Sequence, residues 1–165
     1  MSDAMHTLLA ATPLLDVHHP DIEALVDRRG WRALPLYDRI GAVYDFVRDE
    51  IAFGYNEGDE LPASSVLADG IGQCNTKSTL LMALLRAVGI PCRFHGFTID
   101  KPLQKGAITG LAYWLAPQRI IHSWVEVSLE GRWIELEGFI LDAPYLSSLQ
   151  RRFPVAGHRV RGAQV

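Results

Sequence analysis

A chain of 165 residues, 48% hydrophobic and 21% charged, has the size and composition of one folded domain rather than a disordered segment. Sixteen basic against nineteen acidic residues leave a net charge of −3, which excludes a nucleic-acid-binding domain recognised by charge. Two cysteines with no C-x-x-C pair exclude a secreted disulfide framework, a zinc ribbon and a dithiol redox motif.

The chain reads as a single domain over 1–165, without repeats or a long linker. The first twenty residues hold no Lys or Arg, and Pro13 interrupts the apolar stretch around Leu8 and Leu9. A secretory signal needs a basic start and an unbroken apolar run, so the expectation is a cytoplasmic protein. The apolar run Gly110–Ala116 stops at Pro117, far short of a membrane span. Neither a membrane nor nucleic acid is expected as a partner.

Asp21, Ile22, Leu25 and Val26 open a first helix that Gly30 can close. A stronger helix is predicted from Pro35 to Glu50, with Leu36, Ile40, Val43, Tyr44, Val47 and Ile51 along one stripe and Pro35 at its first position. Residues 52–72, rich in Gly, Pro, Asp and Ser, read as loop. The next helix spans about Cys74 to Val88, its core face formed by Leu80, Leu81, Leu84, Leu85 and Val88, with Gly89 as the cap and Pro91 beyond. Cys92–Ile99 reads as a strand, and 100–120 fits no single element. Ile121–Leu129 and Arg132–Phe139 alternate as two strands around the two-residue loop Glu130-Gly131. A last helix is expected over 143–152. Helices first and strands afterwards predict an α+β fold with an antiparallel sheet.

Cys74 closes the run Gly70-Ile71-Gly72-Gln73-Cys74, directly where its helix begins. That end of a helix carries roughly +0.5 of an elementary charge and several unpaired N–H groups, both of which favour a thiolate. The glycines allow a tight turn and leave room for a substrate to approach the sulfur, and the Cys74 N–H is a candidate oxyanion donor. A buried structural cysteine is the plainer reading, and Cys92, entering a strand, fits it. A Cys74–Cys92 disulfide would be unusual in the cytoplasm.

Of six histidines, His6, His18, His19 and His158 read as surface groups near the termini, and His95 as a packed strand residue. No H-E-x-x-H motif or third ligand accompanies His18 and His19, so no metal is expected. His122 is distinguished by register. With Glu130-Gly131 as the loop, Leu129 pairs with Arg132, Glu126 with Glu135 and Trp124 with Glu137. His122, Trp124 and Glu137 then share a face, with the carboxylate diagonal to the imidazole, as a Cys-His-acid triad requires. Glu135 is one step further away, and Asp142 is the second choice for the acid. Val125, Val127, Leu129, Ile134 and Leu136 form the opposite, apolar face, so Cys74 must meet His122 from the strand end or from a second covering layer that Trp124, Trp133 and Phe139 could support. The plainer reading leaves Glu126, Glu135 and Glu137 on a solvated face.

From about Tyr44 to Phe139 the chain resembles the core of the transglutaminase-like superfamily, relatives of papain-like cysteine hydrolases. The resemblance is carried by Gly72-Gln73-Cys74, the run from Leu80 to Arg93, His122-Ser123-Trp124-Val125-Glu126-Val127, and Gly131-Arg132-Trp133 with an acid four residues after Trp133. It implies N-terminal helices, a nucleophile at the start of a central helix, and that helix packed on an antiparallel sheet. It implies Cys74 as nucleophile, His122 as base and Glu137 as third member, where the family usually has Asp followed by Pro. The papain-type oxyanion Gln would fall at Ala68, which leaves Gln73, the Cys74 N–H and Tyr55 as candidates there, with Trp124 beside the base. The implied reaction is acyl transfer through a thioester on a peptide, protein or small amide, without metal or cofactor, and most simply hydrolysis. An amine acceptor would make it a transglutaminase or arylamine-acetyltransferase-like enzyme. The alternative is a non-catalytic binding module. The insert from about Asp100 to Arg119, with Tyr113 and Trp114, reads as a surface excursion or a pocket wall, and the tail from Arg151 as a basic end.

Overall fold

Pro20 and a left-handed Gly30 (φ +66°) bracket the first helix, α1 (Pro20–Arg29), at the ends the sequence marks. The computed structural model describes residues 6–100 and 119–142, with residues 144, 147, 148 and 151 beyond; over 97–100 and 119–122 it describes the backbone alone. His19 caps α1, its Nδ1 accepting the Asp21 N–H at 3.3 Å, so this histidine has a structural role. A 3₁₀ turn (Trp31–Ala33) leads to α2 (Leu36–Asp49), with Pro35 at the N-cap rather than inside the helix. Its buried stripe is Ile40, Val43, Phe46 and Val47. Leu36, expected on that stripe, is 41% exposed, and Phe46 instead meets Trp31 edge-to-face at 5.5 Å.

Residues 52–72 are not loop throughout: 54–62 is loop as expected, but regular elements flank it. These are β1 (Ala52–Phe53), α3 (Ala63–Asp69) and β2 (Ile71–Gly72), with β1 and β2 paired in parallel as Ala52↔Ile71 and Phe53↔Gly72. Asp16 from the N-terminal segment caps α3 by accepting the Ser64 N–H at 3.1 Å, and Gly70 (φ +65°) ends it. Helix α4 (Cys74–Ala87) follows at once, with Leu80, Leu81, Leu84 and Leu85 fully buried at the centre of the core and Gly89 in the left-handed region just past its end.

Strands β3 (Cys92–Asp100), β4 (Arg119–Leu129) and β5 (Arg132–Leu136) make one antiparallel sheet in the order β3-β4-β5. Glu130 (φ +51°) and Gly131 (φ +79°) form the two-residue turn, and the pairs Leu129↔Arg132, Glu126↔Glu135 and Val125↔Leu136 follow the expected register. The β5 ladder ends at Leu136, three residues earlier than expected. Across the other edge, Cys92 pairs with Val127, Arg93 with Glu126, His95 with Trp124 and Phe97 with His122. Ser123, Val125 and Val127 are buried on the face that receives α4. The architecture is the mixed α+β one, helices on one face of an antiparallel sheet.

The insert with Tyr113 and Trp114, the tail with His158, and most of the helix expected over 143–152 lie outside the described residues. Among the described residues, no helix is long and apolar enough to cross a membrane.

Candidate active site

The first turn of α4 is built around a side chain that sequence reading passed over. Lys77 is fully buried, and its ammonium donates to the carbonyls of Ile51 (2.8 Å), Ile140 (3.0 Å) and Arg48 (3.3 Å). A Cβ on Gly72 would stand 2.7 Å from Lys77 Cγ and 3.0 Å from Thr76 Oγ1. Gly72 is therefore required for the passage of Lys77, and not to leave room for a substrate. Thr76 completes the turn: its hydroxyl accepts the Gln73 N–H at 2.9 Å and donates to Asn56 Oδ1 at 2.7 Å. Asn56 also donates to the Ile71 carbonyl and to Asp69, which ties the loop after β1 to the start of α4.

Cys74 is the first residue of that helix and is partly buried, with a free thiol. Its sulfur lies 3.8 Å from Asn75 Oδ1. Ser123, 1% exposed on β4, reaches the same oxygen at 3.3 Å, so its hydroxyl stands beside the thiol. Burial pushes the thiol pKa up, while the backbone N–H groups of Asn75 and Cys74 and the Ser123 hydroxyl pull it down and the Asp59 carboxylate raises it further. The net direction is upward, so the helix terminus alone does not make the thiolate that its position suggested. Cys92 is fully buried, its sulfur directed at the Met82 carbonyl, and burial raises it to about 11; it is a core residue.

These contacts also orient α4 on the sheet. Its first turn touches Ser123, whereas Met82, two turns on, meets Cys92, the partner of Val127. The helix thus runs along β4 with its N-terminus at the end of the strand where His122 lies, the first of the two approaches the sequence left open. His122 is described at its backbone only. Glu137 follows the last ladder residue of β5 and is exposed; its carbonyl accepts the Tyr44 hydroxyl at 2.6 Å. Gly138 beside it has φ +81°, which a proline ring cannot adopt. Asp142 is buried, accepts the Phe53 N–H at 2.8 Å and faces the Lys77 ammonium.

Gln73 donates its side-chain amide to Asp59. Tyr55 is 78% exposed on the loop that Asn56 fastens to the Cys74 turn, edge-on to Phe53 at 5.8 Å. Trp124 lies on the other face of β4 from Ser123 and stacks on His95 at 4.6 Å. There Glu126 is buried, not solvated: Arg93 and His95 both pair with it, and the Arg93 guanidinium covers the Trp133 ring at 4.0 Å. Arg93 beside Glu126 holds its carboxyl below the usual range. Among the described residues no three His, Cys, Asp or Glu side chains converge as a metal site.

The family model of the Transglutaminase-like superfamily matches residues 24–138. In sequence the chain is 30% identical over 126 residues to the uncharacterized protein YebA of Bacillus subtilis (strain 168), covering 68% of this chain and 17% of that protein. In structure it is similar to a candidate cysteine protease from Cytophaga hutchinsonii, with a TM-score of 0.64 at 16% identity, covering 82% of this chain and 42% of that one. It is similar also to the periplasmic domain of TgpA from Pseudomonas aeruginosa bound to ethylmercury, with a TM-score of 0.56 at 16% identity, covering 90% and 52%. The chain spans about a sixth of YebA and about half of the two structures. At 16% identity those two likenesses are of fold.

Proposed function

The chain belongs to the transglutaminase-like superfamily, and on that premise we propose that it is a cysteine-dependent acyl-transfer enzyme, most simply a hydrolase of amide or peptide bonds, with Cys74, His122 and Glu137 as its working groups. The observation that carries the reading is the setting of Cys74. A partly buried thiol opens the central helix, the backbone N–H groups of residues 74 and 75 favour its thiolate, and β4 abuts it one residue from His122.

In this mechanism His122 takes the thiol proton and the Cys74 sulfur attacks the substrate carbonyl carbon. The N–H groups of residues 74 and 75 hold the oxyanion while the tetrahedral adduct forms. His122 returns the proton to the leaving amine as the C–N bond breaks, leaving a thioester. Water then gives a proton to His122 and attacks the thioester, releasing the acid and restoring the thiol. Burial that raises the neutral thiol makes an imidazolium partner necessary for the thiolate, which is the part a triad histidine plays. Glu137 is the preferred orienting acid because it stands one residue past the last β4–β5 pair, Val125↔Leu136, whereas Asp142 is engaged by Phe53 N–H and faces Lys77.

The raised thiol also favours a second reading, a non-catalytic binding module of the same fold. Hydrolysis of a panel of peptide anilides and amides, with and without an added primary amine, separates the two. Activity abolished in both Cys74→Ala and His122→Ala, at unchanged melting temperature, supports the enzyme. Cys74 alkylating no faster than Cys92 across pH 6–9 overturns it.

A further inference from the structure

Among the described side chains of the sheet, the one between His122 and Trp124 reaches the first turn of α4. Ser123 is 1% exposed, and its hydroxyl and the Cys74 thiol converge on one acceptor: Asn75 Oδ1 lies 3.3 Å from the hydroxyl. The same Asn75 oxygen lies 3.8 Å from the sulfur and accepts from the thiol. Asn75 Oδ1 is an acceptor only, so in the neutral state it takes hydrogens from both the thiol and the hydroxyl. Once the thiol proton leaves, the sulfur becomes a charged acceptor and the arrangement changes sign. The amide oxygen now faces an anion, and the hydroxyl gains by rotating its hydrogen from oxygen to sulfur.

We propose that Ser123 is a further residue of the reaction apparatus, a hydroxyl rotor that turns from Asn75 Oδ1 to the Cys74 sulfur when the thiolate forms and holds that thiolate for attack. Nothing is transferred to or from Ser123 and no bond to it is made or broken; only its O–H direction changes. The inference rests on Cys74 being the nucleophile. A nearby hydroxyl is well suited to this site, because the helix end is too shielded for water to solvate the thiolate fully and the charged neighbour identified on this side, Asp59, opposes it. Asn75 in turn holds the resting thiol neutral. The two side chains therefore act on the sulfur in opposite directions, which gives the proposal a signature that a packing role lacks.

The test is the pH dependence of Cys74 alkylation by iodoacetamide, read by peptide mass spectrometry so that Cys92 is scored separately, in the wild type, Ser123→Ala, Ser123→Thr and Asn75→Ala. In Ser123→Ala the reactive midpoint is expected to move up by about one pH unit, because a hydrogen bond to a charged group is lost. Ser123→Thr, which keeps the hydroxyl, restores it. In Asn75→Ala the midpoint is expected to move down, since the thiol loses its acceptor and the hydroxyl is freed for the sulfur; this arm stands even where Ser123→Ala does not fold. A Ser123→Ala profile that superimposes on the wild type, or an Asn75→Ala midpoint that is unchanged or raised, overturns the rotor and leaves the nucleophile standing. A wild-type Cys74 no more reactive than Cys92 removes the nucleophile and the rotor together.

Discussion

Gly72 and Lys77 occupy one another's space: the position where a Cβ on residue 72 would sit is 2.7 Å from Lys77 Cγ. The lysine stem passes over the glycine to reach three carbonyls, from the C-terminal end of α2, the residue before β1 and the segment after β5. Gly72→Ala is expected to force the stem aside and to destabilise the fold by about 1–3 kcal/mol, the usual range for overpacking. Urea unfolding measures the loss. An unchanged midpoint would mean that the stem has slack the contacts do not show.

Lys77→Met removes the only donor described for those carbonyl contacts. Each unsatisfied carbonyl costs about 1–3 kcal/mol, partly offset by relief of a buried charge, for a net loss on the order of 2 kcal/mol. Burial lowers the Lys77 amine to about 8 from an ordinary 10.5. Between those values the unfolded chain binds more protons than the folded one, so wild-type stability rises with pH. Cys92 opposes this above pH 9: its folded value of about 11 exceeds 9.0, so the folded chain then binds more protons. The rise from Lys77 is thus unopposed by Cys92 between about pH 8 and 9. Denaturant midpoints at the two pH values are expected to show it in the wild type and not in Lys77→Met.

Glu137→Gln and Asp142→Asn separate an orienting acid from a structural one. The first is expected to cut kcat/KM by 10-fold or more, on the order of 1.4 kcal/mol or above, with little change in melting temperature. The second weakens the hold on the Phe53 N–H and removes the carboxylate facing Lys77, so its main effect is expected on stability. The reverse pattern, activity lost with Asp142 and stability with Glu137, would transfer the acid role.

Glu126→Gln keeps the shape of the outer-face cluster and removes its charge. Arg93 lowers the Glu126 carboxyl in the folded state, so the stability this ion pair contributes is present above the ordinary carboxylate value and is lost as pH falls through the lowered one. The variant is expected to be less stable than the wild type by about 1–3 kcal/mol at pH 7. The difference should shrink on acidification below pH ~4. A pH-independent difference would assign the effect to packing.

Long periodic segments were legible before the structure, and short or charged ones were not. The α4 stripe, most of the α2 stripe and the β4–β5 register as far as Val125↔Leu136 followed from spacing, because Glu130-Gly131 admits a two-residue turn that sets the pairs behind it; Leu36 is exposed instead, and the expected Trp124–Glu137 pair is not in the ladder. The seven-residue α3 and the two-residue β1 and β2 carry too little periodicity to outweigh the Gly, Pro and Ser around them. Lys77 was passed over because lysines are almost never fully buried, and only three converging carbonyls make this one an exception. Glu126 read as a solvated strand charge because its partners are on β3, and the long β3–β4 connection conceals the register that sets Arg93 opposite it. Ser123 carried a faint signal, a hydroxyl one position from the proposed base and on the strand's apolar face.

The segment after β5 leaves the sheet but is fastened to the helices: Tyr44 of α2 holds the Glu137 carbonyl, Lys77 of α4 holds that of Ile140, and Asp142 accepts from Phe53. Ser123 and the backbone of His122 belong instead to the middle strand of the sheet. The two layers are therefore the two halves of a vice, and a shear between them would carry Glu137 along with Cys74 while leaving His122 behind, so that alignment of the proposed triad depends on how rigidly one half grips the other.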